Sequence, residues 1–503
     1  MSRLLEEFKE YLKEMNQYDH VTGLLQWDMQ TTVPKLGQAA HVDALTYFST
    51  KSFEMGTSEK LGEFLEKLAQ PAEYDALDET WKFIVKRMKR DYDRNKRIPA
   101  DLYEAFVRAA AESGNAWEEA KNVSDFSIYA PHLRNMIEMT KQVIGYTDPG
   151  KDVYDALLEQ CEEGMDQATI DRLFEEVKTE LIPLVEQITA KKMPENPTFH
   201  AYADPDAQRR VQWLLLDYIG FRRDAGAVGE TEHPFTTNFS SKDVRVTNHY
   251  YETEPLSAMF SAIHEGGHAI FEQNVNPEYD NTVAGSCCYM GVHESQSRFY
   301  ENILGRNINF WKPIYEKLGE LLPQFKNVTL EAFECEINRV ENSMVRTEAD
   351  EVTYCFHIIL RYEMEKAIFY DHVPVEKLPE LWNQKMQEYL HITPKNDAEG
   401  ILQDVHWSDG SFGYFPSYLL GSIYDGMYLE KMEEELGSVD EILTDGRIGE
   451  ITKWLNEKIH WYGSTRTPKA VIAAVCGKEV SAQPLVRYMK KKYTRLYGLS
   501  EEA

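Results

Sequence analysis

The sequence has few cysteines, no long apolar stretch and little positive charge. Its 503 residues include six cysteines, and no two of them form a CxxC pair. We therefore expect reduced thiols in the protein core rather than a disulfide framework. These cysteines are Cys161, Cys287, Cys288, Cys335, Cys355 and Cys476. No apolar run approaches the ~18 residues of a membrane-spanning helix, so we expect no membrane span.

The charge balance argues against two classes of partner. The chain has 54 Lys and Arg against 84 Asp and Glu, a formal net charge of −30. Such acidity disfavours binding to nucleic acid or to an anionic membrane. The N-terminal sequence MSRLLEEFKEYLKEM is amphipathic and acidic, and it lacks the basic start and apolar stretch of a signal peptide. The expectation is a cytoplasmic protein with neither nucleic-acid nor membrane partners.

Helical periodicity dominates the chain, which predicts a mainly α-helical protein. One apolar stripe comprises Leu4, Leu5, Phe8, Tyr11, Leu12 and Met15, and another comprises Phe333, Ile337, Val340 and Met344. The length exceeds what a single compact core usually holds, so we expect two lobes. Prolines 194, 197 and 205 mark the junction, which predicts an N-terminal helical lobe over 1–195 and a second region over 196–503 that holds every chemical motif.

One motif in the second region, His264-Glu265-Gly266-Gly267-His268, is an HExxH sequence. At about 100° per residue, the two histidines and Glu265 share one sector of a helix. In zinc peptidases this arrangement lets two imidazoles bind the ion while the glutamate acts on its water. Small and apolar residues fill the other sectors, so we expect a helix that is buried on all sides.

The residues around this motif favour a bound cation. Five of the 14 histidines lie between His233 and His293. No Lys or Arg occurs between Arg245 and Arg298, where about 5.6 would be expected. Two adjacent glycines cost about 2 kcal/mol relative to alanine inside a helix, which a purely structural helix has no reason to carry. We therefore predict a metal site.

A catalytic zinc site typically has three protein ligands, so one more is needed. Glu294, which lies 26 residues after His268, starts a helical pattern that ends at Gly305 and is the first candidate. The competing candidates are His249, His293, Glu272 and Asp280. Glu265 cannot be a ligand together with both histidines in this geometry, so we assign it as the general base.

One segment departs from the helical pattern. Residues His233 to Tyr250 are rich in β-branched and aromatic residues around a Ser-Ser-Lys-Asp turn, which predicts a small hairpin. In its second strand, Asp243, Arg245 and Thr247 share one face. As an edge strand it would pair with an extended peptide substrate and place Arg245 near that substrate. The alternative is an Asp243–Arg245 ion pair on a solvated surface.

Six motifs together resemble the thermostable carboxypeptidase 1 family of zinc metallocarboxypeptidases, which are HExxH zincins of the gluzincin type. They are HPF (233–235), DVRVT (243–247), HEGGH (264–268), HESQ (293–296), VRTEAD (345–350) and GILQDVHW (400–407). The resemblance implies a mainly α, two-lobed helical zincin fold with a deep substrate groove, and a small β-hairpin or sheet beside the active-site helix. It also implies a homodimer that removes C-terminal residues with broad specificity but acts poorly on proline.

The same resemblance implies His264, His268 and Glu294 as zinc ligands and Glu265 as the catalyst. One Zn²⁺ per subunit is expected, for which Co²⁺ or Mn²⁺ would substitute.

A carboxypeptidase must recognise a free α-carboxylate, which a guanidinium binds bidentately. Arg245 and Arg346 are the candidates within motifs, and the alternative for Arg346 is an ordinary helix ion pair with Asp350. His406 would polarise the scissile carbonyl or hold the peptide backbone, which we favour over the alternative of a core histidine. Tyr414 or Tyr418 would donate to the oxyanion. Gln403 and Asp404 would orient His406. The remaining motif residues that we expect at the substrate site are His233, Asp243, Thr247 and Trp407.

The sequence therefore predicts a zinc metallocarboxypeptidase that acts on peptides with a free C-terminus. Region 196–503 would be the catalytic zinc-binding part of one functional peptidase domain. One alternative is an oligopeptidase of the same fold that cleaves inside peptides. A second is a helical zinc-binding protein without enzymatic activity.

Overall fold

The computed structural model describes residues 2–191, 193, 196–285 and 289–500. Helices dominate, as predicted. The first ten are α1 Arg3–Thr31, α2 Gln38–Gly56, α3 Glu59–Leu68, α4 Pro71–Tyr74, α5 Glu79–Arg97, α6 Ala100–Val123, α7 Phe126–Thr147, α8 Val153–Cys161, α9 Gln167–Thr189 and α10 Pro205–Ile219. The next six are α11 Pro255–Gln273, α12 Met290–Arg298, α13 Ile308–Trp311, α14 Tyr315–Leu321, α15 Leu330–Ile337 and α16 Thr353–Phe369. The last six are α17 Leu378–Leu390, α18 Phe415–Leu436, α19 Val439–Thr444, α20 Ile448–Lys458, α21 Pro468–Cys476 and α22 Gln483–Tyr497.

Local sequence accounts for the boundaries of several helices. Helix α1 begins where the Ser2 hydroxyl accepts a hydrogen bond from the amide of Leu5, and its predicted apolar stripe is buried at Leu5, Phe8, Tyr11 and Leu12. The second predicted stripe is only half helical. Helix α15 ends at Ile337, so Val340 and Met344 continue the apolar pattern outside any helix.

The division into two lobes at 195/196 stays a prediction, because Pro194 and Glu195 lie outside the described residues. One apolar cluster extends from Leu5 in α1 to Tyr497 in α22, so the core is continuous across this point. Helices α8 and α9 pack against α16, and α9 also packs against α22. Residues before 195 therefore contribute to the packing around the second region.

The non-helical segment is a three-stranded sheet formed by β1 Gly226–Glu230, β2 Thr236–Ser240 and β3 Asp243–Asn248. The strand order is β1-β3-β2, with β1 parallel and β2 antiparallel to β3. Val244 and Val246 are buried on one face of β3, as the alternation predicted. Strands β2 and β3 both pack on α11, which places the sheet beside the HExxH helix.

The predicted hairpin forms from β2 and β3, and it has an additional partner, β1, which the sequence did not reveal. The expectation that its second strand lies at an edge was wrong. Because β1 pairs with the other side of β3, the strand that carries Asp243, Arg245 and Thr247 is central, and its backbone groups are already bonded on both sides. It cannot accept a substrate strand by edge pairing.

The cysteine prediction is only partly correct. Cys355 and Cys476 are buried thiols, Cys161 is half-buried and Cys335 is exposed. Cys287 and Cys288 lie outside the described residues. Over the described ranges, none of the helices is long and apolar enough to cross a membrane.

Candidate active site

Helices α11 and α12 pack closely because of the adjacent glycines in α11. A Cβ atom on Gly267 would lie 2.6 Å from the carbonyl oxygen of Gln296, in the backbone of α12. A Cβ on Gly266 would lie 2.5 Å from Ile219 Cδ1, on the opposite neighbour α10. The glycine pair therefore allows backbone contact with α12 on one side and close packing on α10 on the other, which accounts for its cost in helix propensity.

This close packing brings Glu294 of α12 against both histidines of α11. Glu294 Oε2 lies 3.8 Å from His264 Nε2 and 3.5 Å from His268 Nε2. All three candidate ligand atoms fall within 4.8 Å of one another. Two imidazole nitrogens and one carboxylate oxygen that converge on one point are the donor set of a catalytic zinc site. The residues therefore fit a metal ion of this kind.

The competing third ligands are engaged elsewhere. The Nδ1 atom of His249 lies 3.1 Å from the Thr231 carbonyl oxygen. His293 and Glu272 bond to each other at 2.8 Å. Both carboxylate oxygens of Asp280 accept hydrogen bonds from Ser241. Glu294 is the candidate whose carboxylate faces both histidines.

Glu301 is a residue of this site that the sequence did not reveal. Its Oε2 atom lies 2.8 Å from His264 Nδ1, on the opposite side of the ring from Glu294. It belongs to a π-helix, Phe299–Gly305, that continues α12. A carboxylate on the second nitrogen fixes the orientation and tautomer of a metal-binding histidine. Glu301 lies seven residues after Glu294, about two helical turns, so α-helical spacing from Glu294 places it on the same face and is the signal that could have identified it.

The rings of His264 and His268 are oriented by different contacts. The Nδ1 atom of His268 is buried and has no hydrogen-bond partner among the described residues. Its ring instead stacks on His293, with ring centroids 4.4 Å apart. Hydrogen bonding therefore orients His264, whereas packing orients His268.

Glu265 is held by the sheet. The Thr236 hydroxyl, in β2, lies 2.6 Å from Glu265 Oε2. Glu265 is only 7 % exposed, and burial raises the pKa of its carboxyl group. Through this contact β2 orients the side chain of the predicted general base. No pattern in the sequence singled out Thr236.

The predicted Arg346–Asp350 helix pair was wrong. Arg346 lies in a 3₁₀ turn, Arg346–Glu348, so i,i+4 spacing does not apply there. Its guanidinium donates to Asp404 Oδ1 at 2.9 and 3.0 Å and to the Tyr354 hydroxyl at 3.1 Å. Asp350 instead accepts from the backbone amides of Val352 and Thr353 at the start of α16.

Gln403 and Asp404 contact arginines, and the expectation that they orient His406 was also wrong. Arg361, whose side chain is completely buried, donates to Asp404 Oδ2 at 2.6 Å and to Gln403 Oε1 at 2.9 Å. The nearest polar partner of His406 is the Tyr418 hydroxyl, 3.4 Å from its Nε2 atom. We define Arg346, Arg361 and Asp404 as the arginine cluster. Arg361 lies outside the motifs, so no sequence signal identified it.

His406, Tyr414 and Tyr418 come together as predicted. The ring of His406 lies 5.5 Å from that of Tyr414, and the rings of Tyr414 and Tyr418 lie 5.2 Å apart. Arg346 lies over the Tyr418 ring at 4.9 Å, which connects this group to the arginine cluster. Burial lowers the pKa of His406 to about 4, so its imidazole is neutral at pH 7.

The remaining predicted residues have other surroundings. Arg245 forms a bidentate pair with Asp243, at 2.8 Å for both bonds, so the predicted alternative is the observed contact. Thr247 is buried and accepts a hydrogen bond from the Phe235 amide, and His233 is exposed. Trp407 is buried and donates to Glu365 at 2.9 Å, as a core tryptophan does.

Comparison with known proteins identifies the family. The model of the carboxypeptidase Taq (M32) metallopeptidase family matches residues 7–493. The chain belongs to this family. It is 43 % identical over 495 residues to carboxypeptidase 1 of Bacillus subtilis, covering 98 % of both chains. It is 35 % identical over 500 residues to thermostable carboxypeptidase 1 of Thermus thermophilus, covering 97 % of this chain and 98 % of that protein.

Solved structures of M32 carboxypeptidases share the fold. The crystal structure of the enzyme from Deinococcus radiodurans superposes with a TM-score of 0.95 at 27 % identity, covering 99 % of this chain and 100 % of that one. The Pyrococcus furiosus carboxypeptidase superposes with a TM-score of 0.94 at 32 % identity, covering 98 % and 99 %. The predicted family and fold class are confirmed. The chain is a metallocarboxypeptidase, a peptide hydrolase whose family implies a metal ion.

Proposed function

We propose that this protein is a zinc-dependent carboxypeptidase that removes C-terminal residues from peptides with broad specificity and acts poorly on proline. One Zn²⁺ per subunit, replaceable by Co²⁺ or Mn²⁺, is held by His264, His268 and Glu294. The protein acts as a homodimer in the cytoplasm, without nucleic-acid or membrane partners. The observation that supports the metal assignment is the convergence of both Nε2 atoms on Glu294 Oε2, at 3.8 and 3.5 Å.

When bound, the ion supplies Lewis-acid chemistry, which polarises the scissile carbonyl and lowers the pKa of water. Glu265 moves the proton. Its Oε2 atom accepts a hydrogen bond from the Thr236 hydroxyl. The Oε1 atom therefore remains to take a proton from the attacking water and pass it to the leaving amine. Burial raises the pKa of this carboxyl group, which is the direction that makes it a stronger proton acceptor.

The arginine cluster is the better candidate for the substrate carboxylate. Arg346 and Arg361 share the single charge of Asp404, so the cluster carries a net charge of +1. Arg245, by contrast, is neutralised by Asp243. Burial of a terminal carboxylate requires a cation or several donors. We therefore assign Arg346, which also contacts Tyr418, as the residue that recognises the free C-terminus.

His406 and the two neighbouring tyrosines lie on the substrate side. The Tyr418 hydroxyl lies 3.4 Å from His406 Nε2, and the guanidinium of Arg346 lies over the Tyr418 ring, 4.9 Å from its centroid. Burial lowers the pKa of His406 and raises the pKa of Tyr418, so both remain neutral hydrogen-bond donors. We assign them, together with Tyr414, to hold the carbonyl oxygen as it becomes negatively charged.

A timed digest tests the activity directly. A ten-residue peptide with a free C-terminus should lose one residue at a time from that end, as a ladder in mass spectra. The same peptide with an amidated C-terminus is the matched control, and it should react far more slowly. Internal fragments that form early and equally from both peptides would instead establish the oligopeptidase. Addition and removal of Zn²⁺, Co²⁺ and Mn²⁺ in the same assay identifies the metal.

A further inference from the structure

Helix α8 lies outside the motif region but contacts two parts of the active site. Leu157 of α8 packs on the loop that follows His406, since a Cβ on Gly413 would lie 2.9 Å from the Leu157 carbonyl carbon. Tyr154 of α8 and Glu162, directly after α8, are also buried. None of the sequence motifs described above falls in this part of the chain. The contacts of these residues give α8 a role in the site.

Glu162 holds the start of α12, the helix that carries Glu294. Its side chain is only 2 % exposed, and its Oε1 atom accepts a hydrogen bond from the Gly291 amide. The Tyr424 hydroxyl, in α18, donates to Oε2 at 3.5 Å. A Cβ on Gly291 would lie 2.7 Å from Glu162 Oε1, so glycine is required for this contact. A carboxylate at a helix N-terminus also interacts favourably with the helix dipole.

Glu365 holds the other part of the site in the same way. It lies in α16 and is completely buried. It accepts three hydrogen bonds, from Trp407 Nε1 at 2.9 Å, from the Gly413 amide at 2.9 Å and from the Tyr154 hydroxyl at 2.8 Å. Trp407 follows His406, and Gly413 precedes Tyr414. The Glu365 carboxylate therefore fixes both ends of the loop that connects His406 to Tyr414.

The two carboxylates share an unusual environment. Each is bonded to a glycine amide and a tyrosine hydroxyl, and neither has a Lys, Arg or His partner among the described residues. Burial raises the pKa of each to about 7. A buried acid without a counter-ion is a poor way to stabilise a core, because apolar side chains of similar volume serve better. Carboxylates at positions 162 and 365 are explained if they position the start of α12 and the loop between His406 and Tyr414.

We propose that Glu162 and Glu365 are positioning residues that act on different parts of the active site, with α8 as their common support. Glu162 fixes the helix that presents Glu294 to the metal. Glu365 fixes the loop that presents His406 and Tyr414 to the substrate. This inference rests on the proposed function, and it predicts that the two residues control different measurable quantities.

The experiment compares Glu162→Ala with Glu365→Ala in the full-length enzyme. Metal affinity is measured by competition with a chelator, and kcat and KM are measured at saturating Zn²⁺ on an unblocked peptide. Glu162→Ala should weaken Zn²⁺ binding by about 10- to 100-fold and change kcat at saturating metal by less than about threefold. Glu365→Ala should lower kcat by about tenfold or more and leave Zn²⁺ affinity within about threefold of the wild type.

Milder variants keep the test decisive if an alanine variant does not fold. Glu162→Gln retains one carbonyl acceptor for the Gly291 amide and should restore most of the metal affinity. Tyr424→Phe and Tyr154→Phe form a matched pair, because each removes one hydroxyl donor from one carboxylate. The first should weaken only metal binding, and the second should lower only kcat. The melting temperature of each metal-free variant measures the purely structural effect.

Two results would overturn the inference. One is that both residues change metal affinity and kcat in the same proportion, in step with the loss of melting temperature. The other is that neither quantity changes in variants that fold. A wild-type protein that binds zinc but releases no C-terminal residues would reject the proposed function and the Glu365 assignment with it. The Glu162 assignment would then be decided by the metal affinities alone.

Discussion

The metal side and the substrate side of the active site carry opposite charge. On the metal side, three carboxylates (Glu265, Glu294 and Glu301) surround two histidines. Arg298 lies 3.7 Å from Glu294 and Arg306 lies 3.4 Å from Glu301, so these three carboxylates and two guanidinium groups have a net charge of −1. In the arginine cluster, two guanidinium groups share one aspartate. Tyr354 lies between the two sides, since it contacts both Arg346 and Arg298, which is one turn after Glu294 in α12. Under the proposed function, a dication would bind on the first side and a terminal carboxylate on the second, and this charge distribution would orient the peptide.

The largest effect should follow removal of a metal ligand. His264→Ala, His268→Ala and Glu294→Ala should each lower bound zinc and abolish peptide hydrolysis, because a catalytic site with two remaining protein ligands holds the ion weakly. Elemental analysis after dialysis measures the metal content. His249→Ala is the control, since His249 was another candidate ligand but its Nδ1 atom lies 3.1 Å from the Thr231 carbonyl oxygen. If Glu294→Ala retains as much zinc as the wild type, the third ligand is another residue.

Glu265→Gln should separate metal binding from proton transfer. The variant loses the base but keeps His264, His268 and Glu294, so bound zinc should stay at the wild-type level. We expect kcat to fall by about 10²- to 10⁴-fold. Steady-state kinetics together with metal analysis checks both quantities. A variant with near-normal turnover would assign proton transfer to another group.

The substrate side should respond differently. Arg346→Met should raise KM for free peptides and reduce their advantage over amidated ones by about 1.5–3 kcal/mol, because a charge-assisted contact to the carboxylate is lost. Bound zinc should not change. Arg245→Met is the matched control, and it should alter this preference little because Asp243 already neutralises Arg245. If the two arginines behave in the opposite way, the carboxylate binds beside the sheet.

A smaller effect is expected at Glu301. Glu301→Gln keeps the size of the side chain but removes the charge beside His264 Nδ1, so zinc affinity should fall by about tenfold. Chelator competition measures it. No carboxylate among the described residues bonds to His268 Nδ1, so this effect of removing a charge is expected beside His264 and not beside His268. Unchanged affinity would mean that packing alone orients His264.

The smallest effect concerns stability against pH. Burial raises the pKa of Glu365 from 4.5 to about 7 in the folded protein. The folded state therefore holds this proton more tightly than the unfolded state, so its stabilising contribution is complete below about pH 4.5 and is lost as the pH rises to about 7. The melting temperature of the wild type relative to Glu365→Gln should fall across this interval. A difference that stays constant with pH would contradict the shift.

The sequence predicted the elements whose signals are local. The helix of His264 and His268 follows from apolar periodicity and spacing, and the helical start at Glu294 follows from the same pattern. The alternation of Val244 and Val246 in β3 is equally local, and both valines are buried as expected. The errors concern partners. The sequence suggested that Arg346 pairs with Asp350 and that Asp404 orients His406. In the structure Arg346 and Asp404 bind each other.

The sequence by itself determined the helical architecture, the family and the residue types that converge at the candidate metal site, because these depend on periodicity and motif order. Only the tertiary structure decided which charged groups meet. Arg346 and Asp404 are 58 residues apart, and His264 and Glu301 are 37 apart. Hydrogen bonds depend on distances of about 3 Å, which the packing of distant helices sets and which no periodicity within one helix contains.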